Sequence, residues 1–493
     1  MELKRILLGV EGLKAKGNLD IDINNISINS KEIKSGDMFV AIKGFDINGH
    51  QFVPNAIENG ARAVLINEEE VKNVINVIPE NITLITTPDT RKAVSICACN
   101  FYDNPSRKMQ LIGVTGTKGK TTTTFMIKRI LEKQGIKTGL VGTICSYSGD
   151  KILEESDRTT PDSIKLQSLF NTMYQEGCKA VVMEVSSQSL KLHRVDGCDF
   201  NIGLFTNFSE DHISPKEHPD MEDYFNSKAL LFKMCKRGFI NVDDIHTTKV
   251  LKLAPECDIK TYGIDNESNM LAKDITITNS YVDFRVKVNG KNERIKTGIP
   301  GRFSVYNSLA AISVAEVLGC STENIKLALE DVKVPGRSEL VENKLGLTIM
   351  LDYAHSPESL QSILQAVSAY TRGRVISVFG CGGDRDPGKR PIMGEISGKI
   401  ADYTIITSDN PRTEDPQTIV DEIEVGMKKT KGKYECIVNR TEAIKKAIEM
   451  ASKIDIIVLA GKGHETYQEI NHIKHPYDER VIIKEIIDNM EIN

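Results

Sequence analysis

A glycine-rich loop that closes on Gly-Lys-Thr is the strongest chemical signal in this sequence. It follows the apolar run 111–114, and a helical pattern begins behind it. In such a loop the glycines let backbone N–H groups approach phosphate oxygens, and the helix N-terminus adds a favourable partial charge. Lys120 can reach the β- and γ-phosphates of a nucleotide, and the Thr121 hydroxyl can bind Mg²⁺. The strict phosphate-loop pattern has glycine where this chain has Val114, so the match is approximate, and a glycine-rich turn without a ligand is the alternative.

Polar residues with metal-binding chemistry follow the next apolar runs. Glu184 ends the run 180–183, and a carboxylate at a strand end beside a phosphate loop is well placed to hold Mg²⁺. A solvated acid is the alternative. His212 follows the run 202–205 as a candidate metal ligand, although a lone histidine is more often structural. Lys228 lies on a helical pattern and by itself indicates only a surface lysine.

A second group of polar loops lies in the last third of the chain. Asp352 and His355 end an apolar run and are candidates for ribose and phosphate contacts. The loops 379–386, 408–412 and 461–465 combine glycine with charged residues, and loops at the carboxyl ends of parallel strands can converge on one small ligand. Arginine would hold a carboxylate in a bidentate fork, glutamate an ammonium, and asparagine either. The set predicts a site for a zwitterionic amino acid, with ordinary turn chemistry as the alternative for any single loop.

Composition limits what else the chain can be. Its 493 residues predict roughly three domains, and 40% hydrophobic with 27% charged residues is typical of a soluble globular protein. No apolar run approaches the roughly 20 residues of a membrane span, and we see no secretory signal, so we expect a cytoplasmic protein without a membrane partner. The net charge of −5 argues against nucleic-acid binding. Ten scattered cysteines without a C-x-x-C pair indicate reduced, mostly buried thiols and no zinc site.

The elements that must position these residues alternate between apolar runs and helical patterns. In the first part of the chain 40–42 and 63–66 indicate strands, and 53–59 and 91–102 indicate helices. Further strands are expected at 139–141, 180–183, 202–205, 239–242, 349–351, 375–379, 403–406 and 456–459. Such alternation is typical of parallel, doubly wound sheets.

Two segments depart from that alternation. The run 282–286 has the apolar–polar pattern of a half-exposed antiparallel strand, and 304–318 returns to helix. Pro335-Gly336 indicates a domain boundary. We therefore expect domains at 1–92, 93–334 and 335–493.

The order of these motifs resembles the Mur ligases of bacterial peptidoglycan synthesis over nearly the whole chain. The motifs are the loop 115–121, Glu-Val-Ser-Ser at 184–187, Thr-Asn at 206–207 with Asp-His at 211–212, Tyr-Phe at 224–225 with Lys228, Pro-Gly-Arg at 335–337, Asp-Tyr-Ala-His at 352–355 and Asp-Asn-Pro-Arg at 409–412. The resemblance implies three α/β domains. They are an N-terminal uridine-binding domain, a central P-loop-like ATPase domain with a mostly parallel sheet, and a C-terminal Rossmann-like domain that binds the amino acid.

The resemblance also implies roles for individual residues. ATP would be contacted by Thr115, Gly116, Thr117, Lys118, Gly119, Lys120, Thr121, Thr122, Asn307, Arg337, Asp352 and His355. Mg²⁺ would be held by Thr121, Glu184, His212 and Lys228. Lys228 would be carbamylated to N6-carboxylysine, which turns an ammonium into a carboxylate-like ligand. The UDP-muramoyl substrate would be held by Ser30, Thr159, Thr160, Ser186 and Arg194. The amino acid would be held by Arg385, Asp409, Asn410, Pro411, Arg412, Gly461 and Glu465. The expected catalytic residues are Lys120, Lys228, His212 and His355.

The implied activity is an ATP-dependent amide ligase that adds meso-diaminopimelate to UDP-N-acetylmuramoyl-L-alanyl-D-glutamate through an acyl phosphate, and we expect a monomer. Arg412 favours diaminopimelate because its guanidinium suits the distal carboxylate that lysine lacks. The alternatives are ligation of lysine or another diamino acid, a paralogue with an altered substrate, extension of folate with glutamate, and an inactive ATP-binding regulatory module. The chain departs from the common family pattern, mostly on the muramoyl side, at Asn29, Lys31, Lys118, Gln188 and Leu192.

Overall fold

The computed structural model describes residues 1–210, 213–214 and 217–490. It forms two compact units: residues 1–271 with 309–321, and residues 272–308 with the chain from residue 322 onward. No helix within the described ranges is long and apolar enough to cross a membrane. The cysteines are buried apart from the half-buried Cys257 and the exposed Cys436, so the prediction that most thiols are buried is confirmed.

The first unit begins with a five-stranded sheet. The elements are α1 (Leu3–Ile6), β1 (Lys14–Lys16), β2 (Ile26–Ser27), β3 (Met38–Val40), α2 (Val53–Glu58), β4 (Ala63–Asn67), α3 (Val71–Val74), β5 (Thr83–Thr87) and α4 (Thr90–Phe101). The strand order is β1-β5-β4-β3-β2, parallel except for β1. The strand predicted at 40–42 is wrong beyond Val40, because the chain folds back there and Gly49 N donates to Ile42 O.

Helix α4 completes this sheet. The Asp89 side chain accepts hydrogen bonds from backbone N–H groups of its first turn, as a helix cap does. Its buried residues Ala93, Val94 and Cys97 belong to the same hydrophobic cluster as residues of β3 and β4. The boundary expected at residue 92 therefore falls inside a helix that packs on the N-terminal sheet.

The rest of the first unit is built on a nine-stranded sheet. Its strands are β6 (Gln110–Thr115), β7 (Thr138–Val141), β8 (Cys145–Ser148), β9 (Lys151–Glu155), β10 (Ala180–Glu184), β11 (Phe200–Phe205), β12 (Cys235–Asn241), β13 (Asp258–Gly263) and β14 (Met270–Leu271). Its helices are α5 (Lys120–Lys133), α6 (Ser163–Gln175), α7 (Ser187–Lys191), α8 (Met221–Ala229) and α9 (Thr247–Leu253).

The strand order of this sheet is β14-β13-β12-β11-β6-β10-β7-β8-β9. The order from β14 to β7 is parallel, and β8 and β9 add an antiparallel edge. The central strands are almost wholly buried, which is why they occur as continuous apolar runs. The predicted mostly parallel sheet is confirmed, and the phosphate loop leaves β6 at its centre.

The second unit contains a three-stranded antiparallel sheet, a six-stranded sheet and a small hairpin. Its strands are β15 (Lys273–Ile277), β16 (Val282–Val288), β17 (Lys291–Thr297), β18 (Glu339–Leu340), β19 (Thr348–Asp352), β20 (Val375–Phe379), β21 (Tyr403–Ile406), β22 (Lys433–Cys436), β23 (Ile456–Ala460), β24 (Tyr467–Ile470) and β25 (Ile473–Pro476). Its helices are α11 (Thr322–Asp331), α12 (Pro357–Ser368), α13 (Lys389–Ile400), α14 (Pro416–Met427), α15 (Arg440–Met450) and α16 (Glu479–Met490), and α10 (Arg302–Val317) runs from this unit into the first.

The six-stranded sheet has the order β18-β19-β23-β20-β21-β22 and is parallel except for β18. The carboxyl ends of β19, β23, β20 and β21 therefore meet at one edge, where the polar loops predicted to bind ligands begin. The antiparallel strand expected at 282–286 is confirmed as part of β16. The boundary expected at 334–335 lies within this unit.

Candidate active site

The phosphate loop joins β6 to α5 and depends on glycine. Gly116 has φ +137°, and a Cβ atom there would overlap the Thr206 hydroxyl. Gly119 precedes the first residue of α5 with φ +85°. The Lys120 ammonium folds over the loop and donates to the carbonyls of Gly116 at 2.8 Å and Thr117 at 3.0 Å. The loop is thus curled around a cation at the N-terminus of a helix, as a phosphate site requires.

The end of the neighbouring strand β11 holds the loop in shape. Thr206 Oγ1 and Asn207 Nδ2 donate to the carbonyl of Lys118 at 2.6 and 3.0 Å. The backbone N–H of Lys118 donates to Asn207 Oδ1 at 2.9 Å. These contacts use only the backbone of Lys118, so the family departure at this position leaves the loop geometry intact.

Glu184 lies at the end of β10, beside the loop. The residue is 1% exposed, and its carboxylate accepts hydrogen bonds from Thr121 Oγ1 at 3.1 Å, Thr143 N at 2.9 Å and Thr143 Oγ1 at 3.1 Å. A buried carboxylate surrounded by hydroxyls is an all-oxygen donor set, which suits Mg²⁺. Sequence reasoning missed Thr143, although it follows the end of β7, next to β10 in the sheet.

Lys228 is a buried residue at the phosphate loop. It lies on α8, which the Asp220 side chain caps, and is 2% exposed. Its ammonium donates to the Gly116 carbonyl at 2.9 Å and lies 4.4 Å from the centre of the Tyr224 ring. The interpretation of a surface lysine is therefore wrong. The predicted ligand His212 lies outside the described residues, and within the described ranges no group of three or more His, Cys, Asp or Glu residues could hold a metal ion.

The predicted muramoyl-substrate residues adjoin Glu184. Thr160 Oγ1 donates to the Glu184 carbonyl at 2.9 Å and accepts from Ser186 N at 3.1 Å. Thr159 Oγ1 lies within hydrogen-bond distance of Thr143 Oγ1, at 3.2 Å. These contacts place three predicted residues around one strand end.

A cavity of about 460 Å³ continues from this region towards the N-terminal sheet. The predicted substrate residues Ser30 and Arg194 line it. Two departures from the family pattern, Asn29 and Lys31, also line it, as do Arg91 and Arg158, to which the motifs assigned no role. Arg194 donates to Thr160 O at 3.0 Å, and burial together with the Arg158 guanidinium lowers its pKa. Clustered guanidinium and ammonium groups make the cavity suited to an anionic ligand.

In the second unit, Asp352 and its neighbours form a compact polar group. The Asp352 carboxylate accepts hydrogen bonds from Ser338 N at 2.8 Å and Ala354 N at 3.0 Å, and burial raises its pKa. The Arg337 guanidinium lies 5.0 Å from the centre of the Tyr353 ring. Its buried Nε has no hydrogen-bond partner among the residues that the structure describes, so it is a donor that a ligand can satisfy.

Three further residues of this part differ in their surroundings. His355, an expected catalytic residue, is exposed, and its Nδ1 lies 2.7 Å from Tyr353 O. Asn307 is buried within α10. His464 packs 4.8 Å from the Tyr353 ring, and burial with nearby Arg337 lowers its pKa to about 4, so it is neutral at pH 7.

The loops after β21 and β23 meet through a buried lysine. Asn410 Nδ2 donates to Glu465 Oε2 at 2.8 Å, and Lys462 Nζ donates to Asn410 Oδ1 at 3.0 Å and to Glu465 Oε2 at 3.3 Å. Lys462 is 0% exposed. In the sequence it stands between two glycines and gives no sign of burial, so its role was missed. Gly461 is required beside this group, because a Cβ there would overlap the carboxylate of Asp409.

The loop after β20 completes the convergence. Arg412 Nη1 donates to Gly383 O at 2.7 Å, and a Cβ on Gly383 would overlap the Pro411 carbonyl. The three loops predicted to converge thus do so. Arg385 lies on the exposed surface of the first of them.

A second buried residue that the motifs did not reveal ties two strand ends together. Arg440 is 2% exposed and donates to Ser408 O at 3.2 Å, to Ala460 O at 3.1 Å and to Glu479 Oε1 at 2.8 Å. Both carbonyls directly precede residues predicted to bind the amino acid, namely Asp409 and Gly461. Arg440 therefore fixes the spacing of these two loops.

Comparisons with known proteins agree with this architecture. Three family descriptions match: "Mur ligase family, catalytic domain" at 22–102, "Mur ligase middle domain" at 114–315 and "Mur ligase, glutamate ligase domain" at 336–463. A protein of Caldanaerobacter subterraneus subsp. tengcongensis named UDP-N-acetylmuramoyl-L-alanyl-D-glutamate–2,6-diaminopimelate ligase is 47% identical over 100% of both chains. A protein of the same name from Clostridium tetani is 44% identical over 99% of this chain and 100% of its own.

Solved structures give the same result. One titled as the structure of UDP-N-acetylmuramoyl-L-alanyl-D-glutamate–2,6-diaminopimelate ligase superposes with a TM-score of 0.73 at 29% identity, covering 100% of this chain and 99% of its own. MurF ligase from Thermotoga maritima shares the fold with a TM-score of 0.58 at 20% identity, over 94% and 96% of the two chains. The chain belongs to the Mur ligase family.

Proposed function

We propose that this protein uses ATP to join 2,6-diaminopimelate, as the meso isomer, to UDP-N-acetylmuramoyl-L-alanyl-D-glutamate during peptidoglycan synthesis. It acts in the cytoplasm as a monomer. The observation that carries the substrate assignment is the meeting of three loops around the Arg412 guanidinium, close to the Asn410–Glu465–Lys462 group. Relatives that match over the whole chain bear the name of this activity.

The first half of the reaction transfers a phosphoryl group. A carboxylate oxygen of the substrate glutamate attacks the γ-phosphorus of ATP, the bond to the β-phosphate oxygen breaks, and an acyl phosphate and ADP form. Phosphoryl transfer is catalysed mainly by positioning and by neutralising negative charge. The glycine loop positions the phosphates, and the Lys120 ammonium neutralises their charge.

Residues at the end of β10 fit the metal of this step. Thr121 and Glu184 would hold one Mg²⁺ ion. Glu184, His212 and Lys228, once carbamylated, would hold a second. Bound Mg²⁺ supplies positive charge that neutralises the phosphate oxygens. Carbamylation needs the Lys228 amine in its neutral form, and this residue is buried at the phosphate loop.

The second half forms the amide bond. The neutral amino group of diaminopimelate attacks the acyl carbon and forms the C–N bond of a tetrahedral intermediate. The C–O bond to the phosphate then breaks, inorganic phosphate leaves, and the nitrogen loses a proton to solvent to give the amide. Glu465 is suited to an ammonium and Arg412 to the distal carboxylate, so together they orient the amino acid by both charges.

An isotope experiment tests this route. With ¹⁸O in the glutamate side-chain carboxylate, the acyl phosphate route delivers one ¹⁸O atom to each inorganic phosphate, and mass spectrometry should find it at close to one atom per turnover. The product should have the mass of the UDP-muramoyl-tripeptide. Phosphate without ¹⁸O, or phosphate released without an amide product, would contradict the proposal.

A further inference from the structure

A glutamate outside the predicted site residues faces the arginine of the amino-acid site. Glu469 lies in β24, and its Oε2 accepts a hydrogen bond from Arg412 Nε at 3.1 Å. The side chains of Arg412 and Glu469 are 19% and 20% exposed. An ion pair this close to the surface contributes little to stability. Its geometry nevertheless decides which donors of the guanidinium are available to a ligand.

The hairpin of β24 and β25 also holds the backbone of Arg412. Arg412 N donates to Glu469 O at 3.0 Å, and Asn471 N donates to Arg412 O at 2.7 Å. Glu469 N donates to Asn410 Oδ1 at 2.9 Å. Arg412 has φ +51°, a left-handed conformation that non-glycine residues rarely adopt. The hairpin therefore holds the Arg412 backbone in a conformation that few non-glycine residues adopt.

The remaining donors of Arg412 point to one ligand geometry. A guanidinium has five N–H groups. Glu469 takes the Nε–H, and Gly383 O takes one N–H of Nη1 at 2.7 Å. The second N–H of Nη1 and both of Nη2 have no acceptor among the residues that the structure describes. A carboxylate can take two parallel hydrogen bonds from Nη1 and Nη2, whereas the edge that contains Nε is occupied by Glu469.

We infer that Glu469 is a positioning residue that sets the amino-acid specificity of this site through Arg412. The inference rests on the proposed function. Glu469 occupies the Nε edge of the guanidinium and presents the Nη edge to the distal carboxylate of a diamino dicarboxylate. Lysine has no distal carboxylate and gains nothing from this alignment.

Steady-state kinetics of the full chain test the inference with Glu469→Ala and Glu469→Gln. Alanine removes the acceptor and should raise the KM for diaminopimelate at least tenfold, with the KM for ATP and the kcat within twofold. Glutamine keeps an oxygen that can accept from Nε and should stay within threefold of the wild type. Glu395→Ala is the matched control, because Glu395 forms an exposed ion pair with Lys399 on α13, and all its constants should stay unchanged.

Two further readouts separate positioning from a structural role. The ratio of kcat/KM for diaminopimelate to that for lysine should fall at least tenfold in Glu469→Ala. In an Arg412→Ala background, Glu469→Ala should have no further effect on the KM for diaminopimelate, because the substitutions of two residues that act through one contact are not additive. Melting temperatures should be equal for both Glu469 variants.

The outcomes distinguish the inference from the proposed function. If the wild type does not ligate diaminopimelate, the proposed function fails. If the wild type does so and Glu469→Ala leaves its KM unchanged, raises both KM values equally, or adds fully to Arg412→Ala, the inference alone is overturned. If the alanine variant does not fold, equal constants for Glu469→Gln and the wild type support the inference, and a tenfold higher KM for diaminopimelate refutes it.

Discussion

The buried pair of Arg440 and Glu479 gives the sharpest stability prediction for the second unit. Both side chains are 1% exposed, and Arg440 also donates to the Ser408 and Ala460 carbonyls, where the loops after β21 and β23 begin. Arg440→Ala removes all three hydrogen bonds and leaves the Glu479 carboxylate buried without its cation. Breaking a buried ion pair from one side costs about 3–5 kcal/mol.

This loss of stability can be converted into a change in melting temperature. For a unit of this size, 1 kcal/mol corresponds to about 2–4 °C, so the transition of the second unit should fall by about 6–20 °C. Calorimetry of the wild type and Arg440→Ala measures it. The carbonyl contacts position the backbone before Asp409 and Gly461, so the KM for diaminopimelate should rise more than that for ATP.

A double variant separates the ion pair from lost packing. Arg440→Met with Glu479→Leu removes both charges together, and buried pairs replaced by apolar residues are often neutral in stability. The double variant should recover at least half of the lost melting temperature. A shift below 2 °C in Arg440→Ala, or a double variant less stable than the single one, would refute the reasoning.

Three further predictions concern the phosphate loop, the buried lysine and one histidine. Gly116→Ala should lower kcat/KM for ATP at least about 100-fold, because glycine alone readily adopts this backbone conformation and a Cβ would overlap Thr206. Initial rates measured over a range of ATP concentrations check this, and a change under fivefold would count against it. Lys228→Ala should lower kcat by about 10²–10³-fold. In ¹³C-labelled bicarbonate the wild type should show a carbamate signal by ¹³C NMR that the variant lacks. Wild-type protein without that signal would exclude carbamylation. Burial and the neighbouring Arg337 lower the pKa of His464 to about 4, so its contribution to stability is present above about pH 6.5 and is lost as the pH falls towards 4. The melting temperature of His464→Gln should therefore depend less on pH between 6.5 and 4, and parallel curves for variant and wild type would contradict this.

The sequence predicted the parts of this protein that obey local rules. Apolar runs located most of the buried strands, and the rule that ligands bind at strand ends placed Glu184 beside the phosphate loop and brought the loop of Arg412 to that of Glu465. Motif order identified the family. These features depend on short stretches of sequence, so they could be read without the fold.

Other features depend on contacts between distant segments. Lys462 stands between two glycines, and only the fold shows that its ammonium is buried against Asn410. Arg440 occupies the first turn of α15, a position at which arginine is usually solvated. Thr143 becomes important because β7 lies next to β10, and strand order cannot be read from the strands themselves. These roles required the structure.

Selection of an amino acid with a distal carboxylate is the role proposed for Arg412. The direct measurement is phosphate release by the purified protein with ATP, Mg²⁺ and the UDP-muramoyl-dipeptide, with diaminopimelate and lysine supplied separately and in competition. A buried polar group left unpaired costs about 2–3 kcal/mol, so kcat/KM for diaminopimelate should exceed that for lysine by about 100-fold or more. Equal or faster turnover with lysine would contradict the account.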